Sequence, residues 1–260
     1  MTGPTSARAL PTLRAMDDLL TLTVLGCSGT YPGPGDACSG YLLRAGATAV
    51  VVDLGAGTLA NLQAHIDPRQ VDAVVLSHEH PDHWLDLTLL RNALRYVFGV
   101  GDLPVYGTAG TERLAATLLE ELAPTLAWHT IGPGDAVDVG PVALRFGLTD
   151  HPVETLAVRA EAGGRAVLYS ADTGPAWQVG DLGDRVDLLL CEASLRPGDE
   201  GEVQHLSARQ AGALARGMGA GRLLLTHVVP GVDPEAQRRD AAAAFGGPVE
   251  VATTGATVTV

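Results

Sequence analysis

The stretch Ser77-His78-Glu79-His80-Pro81-Asp82-His83 places three imidazoles and the carboxylate of Asp82 within a few residues. It ends the apolar run 71–77, which has the composition of a buried strand. On a regular helix, positions 78, 80 and 83 would not share a face, because helical neighbours lie three or four residues apart. On a loop held by Pro81 between a strand and a helix, the same side chains can converge. Neutral imidazole and carboxylate are ligands that zinc, manganese and iron accept, so the stretch predicts a metal site.

Three more residues of the same chemical types stand in the same kind of position. His151, Asp172 and His227 each follow closely on the carboxyl end of an apolar run, at 142–148, 166–169 and 222–225 respectively. If these strand ends share one edge with the first cluster, seven ligand-type side chains meet there. Two metal ions that share a bridging carboxylate would use all seven.

Short β-type runs alternate with Gly-rich turns along the chain, and helices fall between clusters of strands. We predict strands at 20–25, 41–44, 48–53, 71–77, 104–106, 142–148, 155–160, 166–169, 186–190 and 222–225, and helices at about 57–65, 84–98, 111–122, 208–218 and 234–245. This order favours sheets packed together with helices outside over a single parallel sheet. No repeat, linker or charge run marks a boundary, so we expect one domain over residues 19–260 after a loose N-terminal leader at 1–18.

Composition narrows the functional classes. The 260 residues carry 17 basic side chains, all of them Arg, and 30 acidic ones, for a net charge of −13. Such an acidic excess disfavours binding to long nucleic acid, and 46% apolar residues exclude a disordered chain. No run approaches the roughly 18 apolar residues of a membrane span, and the first residues do not form a signal peptide. Three cysteines at no metal-like spacing are expected to be reduced, buried thiols in a cytoplasmic protein.

The pattern His-x-His-x-Asp-His, followed by a His, an Asp and a His, resembles the metallo-β-lactamase superfamily, and it does so from Leu22 to the C-terminus. The resemblance implies an α/β fold, specifically a four-layer αββα sandwich, with a dinuclear metal site. By the same resemblance, one metal is held by His78, His80 and His151, the other by Asp82, His83 and His227, and Asp172 bridges the two. Zinc is the expected metal, with manganese or iron as alternatives. The remaining histidines, His65 and His129, match no position of the pattern.

A second pair of motifs concerns the leaving group. Glu192 follows the strand 186–190 in Cys191-Glu192-Ala193-Ser194, and His205 precedes a predicted helix whose Ser207-x-x-Gln210 is a capping box. With Ser170-Ala171-Asp172-Thr173-Gly174, these motifs are similar to the branch that contains tRNase Z and related phosphodiesterases. The resemblance implies that His205 assists the departing oxygen, that Glu192 orients His205, and that Asp82 also orients the attacking water. The alternative is a surface histidine beside a helix cap.

The spacing of the motifs bears on the substrate. The tRNA-processing members carry a long arm between the motif His and the bridging Asp, whereas only 20 residues separate His151 from Asp172 here. The chain most resembles the armless bacterial cyclic nucleotide phosphodiesterases, which implies attack of a metal-bridging hydroxide on a small phosphodiester such as 3′,5′-cyclic AMP. A tRNase Z-like ribonuclease, a lactonase or thioesterase, and a non-catalytic metal-binding protein are the alternatives. Related members often form homodimers, but nothing in this sequence locates an interface.

Overall fold

Two seven-stranded β-sheets lie face to face in the computed structural model, which describes residues 19–183, 185–196 and 198–260. The leader predicted at 1–18 lies outside the described residues. The first sheet has the order β14-β1-β2-β3-β4-β5-β6. Its strands are β1 (Thr21–Gly26), β2 (Gly40–Ala45), β3 (Thr48–Leu54), β4 (Ala73–Leu76), β5 (Leu103–Gly107), β6 (Leu126–Thr130) and β14 (Thr257–Thr259).

The second sheet has the order β13-β12-β11-β10-β9-β8-β7. Its strands are β7 (Ala136–Val139), β8 (Val142–Leu148), β9 (Leu156–Ala162), β10 (Arg165–Tyr169), β11 (Leu188–Glu192), β12 (Arg222–Thr226) and β13 (Val249–Val251). Both sheets are mixed. The neighbouring strands are parallel from β3 to β6 in the first sheet and from β10 to β13 in the second.

Helices cover the outer face of each sheet. They are α1 (Thr58–Leu62), α2 (Pro81–Trp84), α3 (Asp86–Asn92), α4 (Ala109–Leu119), α5 (Ala208–Gly217) and α6 (Pro234–Phe245). One apolar core fills the space between the sheets, a second lies under α1 to α4, and a third lies under α5 and α6. The layers are therefore helix, sheet, sheet, helix, and the predicted αββα sandwich in one domain is confirmed. No helix in the described ranges is both long and apolar enough to cross a bilayer.

The predicted helix at 84–98 is wrong in its start and in its regularity. The chain becomes helical at Pro81, which occupies the first helical position, where its missing N–H and fixed φ cost nothing. Helical turns then continue through α3 and end in a π-helical segment, Ala93–Phe98. Asp82 and His83 therefore lie on the first turn of a short helix, and only His78 and His80 lie on the preceding loop.

Parallel strands bring their carboxyl ends to one edge of a sheet, where the following loops meet. In this fold the edges of the two sheets are held together by hydrogen bonds between them. The Tyr169 hydroxyl of β10 donates to Asp53 Oδ2 of β3 at 2.9 Å. The Tyr41 hydroxyl of β2 lies 2.6 Å from Thr226 Oγ1 of β12. Together with the parallel pairing of β3 and β4, these bonds hold the ends of β4, β10 and β12 at the same edge of the sandwich.

Candidate metal centre

All seven ligand-type side chains predicted from the sequence meet at this edge. One group consists of His78, His80, His151 and Asp172, whose ligand atoms lie within 4.8 Å of one another. The other consists of Asp82, His83 and His227, within the same limit. In the first group, His80 Nδ1 lies 3.1 Å from both His78 Nε2 and His151 Nε2. In the second, His227 Nε2 lies 3.2 Å from both His83 Nε2 and Asp82 Oδ2.

Asp172 lies between the two groups with one carboxylate oxygen toward each. Its Oδ2 is 3.7 Å from His78 Nε2 and 3.9 Å from His151 Nε2. Its Oδ1 is 3.3 Å from His83 Nε2 and 3.5 Å from His227 Nε2. Although burial raises the pKa of Asp172, the charges of His227 and His83 hold it well below its ordinary value. The carboxylate is therefore ionised and faces both groups.

The spacing of these atoms fits metal coordination. A tetrahedral zinc ion with ligand distances of about 2.0–2.1 Å separates its ligands by roughly 3.3 Å. The nitrogen–nitrogen distances of 3.1 to 3.2 Å are close to that value. Asp172 Oδ1 is buried and has no hydrogen-bond partner among the described residues. A buried carboxylate oxygen without a donor is costly, and a bound cation would satisfy it. The residues therefore fit divalent metal binding.

A hydrogen-bonding partner orients the outer ring nitrogen of most of these histidines, as metal-binding histidines require. Nδ1 of His78 lies 3.0 Å from Ser77 Oγ, and Nδ1 of His83 lies 2.7 Å from Asp53 Oδ2. Nδ1 of His151 lies 3.3 Å from the Gln204 carbonyl, and Nδ1 of His227 lies 2.7 Å from Ser194 Oγ. These contacts direct Nε2 of each ring toward the cluster, whereas His80 presents Nδ1.

Asp53 is a residue that sequence reasoning missed. Its carboxylate is fully buried and accepts hydrogen bonds from the Ser77 N–H and hydroxyl, from His83 Nδ1 and from Tyr169. Its backbone has φ +56°, a left-handed conformation that is strained for a residue with a Cβ. Asp53 stands near the end of an apolar strand, as the predicted ligands do, and that position was the signal available in the sequence.

Asp53→Asn is expected to weaken metal binding about 10- to 100-fold and to destabilise the fold by about 3 kcal/mol. The amide keeps one acceptor oxygen and replaces the other with an NH2 donor, so at least one of the donors from Ser77, His83 and Tyr169 loses its partner. Metal titration and urea unfolding would measure the two effects. Asp72→Asn is the matched control, because Asp72 accepts from the Ala49 N–H just before β4 begins, far from the cluster. Unchanged metal affinity in Asp53→Asn would contradict this role.

Gly55 follows β3 directly and allows the segment that carries Asp82 to lie against the end of this strand. A Cβ at Gly55 would stand 1.9 Å from the Asp82 carbonyl oxygen and 2.8 Å from Cys38 Cβ. Both neighbouring residues are packed against the rest of the fold. The contact with the carbonyl oxygen could be relieved only by displacing Asp82. The close approach of the backbone at this point therefore requires glycine.

Gly55→Ala is expected to cost about 1–3 kcal/mol of stability through overpacking and to lower the affinity for metal, because Asp82 moves with its carbonyl. Thermal unfolding and metal analysis of the purified variant would test this. Gly132→Ala is the control, since a Cβ at Gly132 meets nothing within 4 Å. Equal stability and metal content for the two variants would show that the contact with Asp82 has no effect.

His205 lies beside the cluster and is held by Glu192. Its Nδ1 donates to Glu192 Oε1 at 2.8 Å. One of its ring nitrogens lies within 4.8 Å of ligand atoms of Asp172 and His227. Burial alone would lower the pKa of His205, but the hydrogen bond to Glu192 and its negative charge raise the pKa to about 9. Ser207 caps α5 in a full capping box with Gln210, as predicted, so His205 precedes a fixed helix start.

Glu192 connects His205 to the rest of the site. Its Oε1 also accepts from the Thr173 N–H at 2.7 Å, next to Asp172. Its Oε2 accepts from the Ser194 hydroxyl at 2.8 Å, and that hydroxyl lies 2.7 Å from His227 Nδ1. The geometry makes Glu192 a partner of His205 and not a member of either ligand group. Ser194 is a second residue that sequence reasoning did not single out.

Gln204 fixes the position of the loop that carries His205. Its carbonyl faces His151 Nδ1 at 3.3 Å, and its side-chain amide donates to Asp150 Oδ1 at 2.9 Å. The second oxygen of Asp150 accepts from the Ala176 N–H at 3.0 Å. The loop with His205 is therefore attached to the loop that provides His151.

Other candidates lie away from the cluster or have other partners. The Glu79 carboxylate contacts Arg113 Nη2 at 3.3 Å and belongs to neither ligand group. His129 stacks on Tyr106 in the first sheet, and His65 follows α1. The three cysteines are buried and free. Burial raises the pKa of Cys27 to about 12 and that of Cys38 to about 11, so both stay protonated thiols.

Several known proteins are similar to this chain in sequence and in fold. The family model described as "Beta-lactamase superfamily domain" matches residues 48–228. The uncharacterized protein Rv1339 of Mycobacterium tuberculosis is 38% identical over 240 residues, 88% of each chain. The probable metallo-hydrolase YhfI of Bacillus subtilis is 32% identical over 242 residues, 91% of this chain and 98% of YhfI. The crystal structure of YhfI matches with a TM-score of 0.86 at 31% identity, covering 94% of this chain and 100% of that one.

A ribonuclease Z of Mycobacterium bovis is 30% identical over 268 residues, 90% of this chain and 95% of the enzyme. The family match spans more than half of the chain, and these relatives align with nearly all of it. The arrangement of histidines and aspartates suits divalent metal binding. The chain belongs to the metallo-β-lactamase superfamily, in the branch that also contains ribonuclease Z and YhfI, and is a metal-dependent hydrolase.

Proposed function

We propose that this hydrolase is a phosphodiesterase for small phosphodiesters, with 3′,5′-cyclic AMP as the first candidate substrate. One observation carries the proposal: His205, held by Glu192 at 2.8 Å, lies at the edge of the ligand cluster next to Asp172 and His227. A hydrolase of phosphodiesters needs a proton donor for the departing alkoxide, and a fixed imidazole beside the cluster supplies one.

In this proposal His78, His80 and His151 would hold one divalent ion, Asp82, His83 and His227 would hold the other, and Asp172 would be shared by both. Zinc is the proposed metal, with manganese or iron as alternatives. When bound, two such ions polarise the phosphoryl oxygens and supply a nucleophile near neutral pH. Asp82 Oδ2 also accepts from the Thr30 N–H at 2.9 Å, which fixes the carboxylate that orients the attacking water.

The chain's own residues place the proton of the leaving group. Because Nδ1 of His205 donates to Glu192, its Nε2 is the nitrogen that can hold a proton for the substrate oxygen. Glu192 also accepts from Thr173 and Ser194, so its position is fixed from three sides. Proton donation to the leaving oxygen is typically worth about 10²- to 10⁴-fold in rate.

The size of the substrate is inferred from the turn between β9 and β10 and from charge. The two strands are joined by Gly163 and Gly164 alone, so no arm extends between His151 and Asp172. The net charge of −13 becomes about −9 with two divalent ions and would repel a long RNA. Three free, buried thiols suit a reducing compartment, and we place the activity in the cytoplasm.

A second candidate is RNA 3′-end processing, favoured by the 30% identity to a ribonuclease Z. A panel of substrates on purified, metal-analysed protein separates the candidates. It should contain bis(p-nitrophenyl) phosphate, 2′,3′- and 3′,5′-cyclic AMP, a pre-tRNA and a lactone. We expect preference for a cyclic nucleotide over the pre-tRNA and the lactone. Preference for pre-tRNA would replace the substrate proposal, preference for the lactone would replace the reaction class, and no hydrolysis would favour a metal-binding protein without catalysis.

A further inference from the structure

A cavity of about 400 Å³ lies at the end of the second sheet that is remote from the metal centre. Its lining includes Arg159, Glu161, Gly164, Arg165, Arg185 and Asp187. Arg165 begins β10, and Asp172 follows the other end of that strand. Seven residues of extended chain span roughly 20 Å, so the cavity is well separated from the cluster of histidines.

Arg159 is one of the charged residues that line this cavity. Its side chain is only 9% exposed. Its Nε donates to Glu161 Oε1 at 2.6 Å. Its Nη1 is buried and has no hydrogen-bond partner in the part of the chain that the structure describes. A buried charged donor without an acceptor costs more than an unmade neutral hydrogen bond, so Arg159 calls for an additional acceptor.

The carboxylates nearby already have donors from the protein. Glu161 Oε1 accepts from Arg145 Nη2 at 3.1 Å as well as from Arg159. Asp187 accepts from Arg165 Nη1 at 2.6 Å through one oxygen and from the Ala166 N–H at 2.9 Å through the other. Both oxygens of Asp187 are therefore engaged, and neither carboxylate makes a hydrogen bond to Arg159 Nη1.

The charge of this region is opposite to that of the whole protein. Among the described lining residues, Arg159, Arg165 and Arg185 carry three positive charges against the two of Glu161 and Asp187, which leaves 3 − 2 = +1. The chain as a whole has a net charge of −13. Asp184 precedes Arg185 in the sequence and lies outside the described residues. Three of the 17 basic residues thus line one cavity.

We propose that this cavity is a second ligand site, which binds a phosphate-type oxyanion through Arg159 and Arg185. A guanidinium presents several N–H donors in a planar fork that matches the oxygens of a phosphate. The ligand is inorganic phosphate or the phosphoryl group of a phosphomonoester. The volume of the cavity accommodates either group. The space beside Gly164 at the turn is open, since a Cβ there meets nothing within 4 Å. This site is independent of the reaction proposed for the metal centre.

The test is calorimetric titration of inorganic phosphate, and separately of 5′-AMP, into the metal-loaded protein and three variants. Arg159→Gln and Arg185→Gln each remove one guanidinium of the cavity, and Arg185 is exposed, so its replacement leaves the packing intact. Arg238→Gln is the matched control, because Arg238 pairs with Glu235 on the exposed side of α6. We expect both cavity variants to weaken binding at least tenfold and the control to leave it unchanged.

The outcomes distinguish a phosphomonoester from free phosphate, and binding in the cavity from binding at the metal centre. Tighter binding of 5′-AMP than of phosphate, lost in Arg185→Gln, assigns a phosphomonoester, whereas equal affinities assign free phosphate. Phosphate held at the metal centre would be insensitive to both cavity variants, because they lie far from it. Binding that is unchanged in Arg185→Gln and Arg159→Gln, or no binding to the intact protein, would overturn the proposal.

Discussion

Asp172→Ala should remove both metal retention and hydrolysis. The carboxylate faces His83 and His227 through Oδ1 and His78 and His151 through Oδ2, at 3.3 to 3.9 Å. Without it, each ligand group loses one ligand and the negative charge that the two groups share. We expect bound metal to fall from two equivalents to less than one, and the rate to fall by at least about 10³-fold, on the order of 4 kcal/mol of transition-state stabilisation.

Elemental analysis of the purified variant and initial rates at saturating metal would measure the two effects of Asp172→Ala. Asp172→Asn keeps the volume of the side chain and separates a loss of charge from a loss of packing. Asp138→Ala on the exposed side of β7 is the control for removing one acidic residue. Retained hydrolysis in Asp172→Ala would refute the bridging role, whatever its metal content.

His205→Ala should lower turnover of 3′,5′-cyclic AMP by about 10²- to 10⁴-fold while two metal equivalents remain bound. The ring lies beside the cluster but belongs to neither group of predicted ligands, and Glu192 holds its Nδ1. The loss should depend on the leaving group. An alkoxide needs a proton as it departs, whereas the p-nitrophenolate of bis(p-nitrophenyl) phosphate is a weak base and departs without one.

Parallel kinetics on the two substrates test the role of His205. We expect the bis(p-nitrophenyl) phosphate rate of His205→Ala to fall far less than the cyclic AMP rate. His129→Ala is the control, because this imidazole stacks on Tyr106 in the first sheet and is not part of the cluster. Equal losses on both substrates would assign His205 to substrate binding or to metal retention, and an unchanged cyclic AMP rate would remove it from the mechanism.

The ligand-type residues could be found from sequence because their chemistry and their position coincide. A histidine or aspartate that directly follows an apolar strand seldom has a structural role there. Parallel strands bring such positions together at one edge of the sheet. The role of Asp53 could not be predicted, because its position near a strand end does not show that Ser77, His83 and Tyr169 all contact it. Those contacts join β3, α2 and β10, and no local pattern reports on them.

The interior strands could be predicted because each carries several apolar residues, on both faces or in alternation, whereas the edge strands lack this signal. β7 alternates between exposed and half-buried residues, and β13 and β14 have three residues each. β6 is buried at Leu126 and increasingly exposed toward Thr130. Such short, half-polar segments resemble loops, and their strand conformation comes from pairing with a neighbour that the sequence alone does not identify.

Each ligand group draws its members from both halves of the sandwich. His151, from the second sheet, joins His78 and His80 from the first, and His227, from the second, joins Asp82 and His83. A bound ion in either group is therefore a cross-link between the sheets, and its binding energy adds to the energy that docks them. By mass action the gain is RT ln(1 + [M]/Kd), about 2.7 kcal/mol at a hundredfold excess over Kd. A higher free metal concentration would then make the docking of the halves firmer, and chelation would lower the melting temperature.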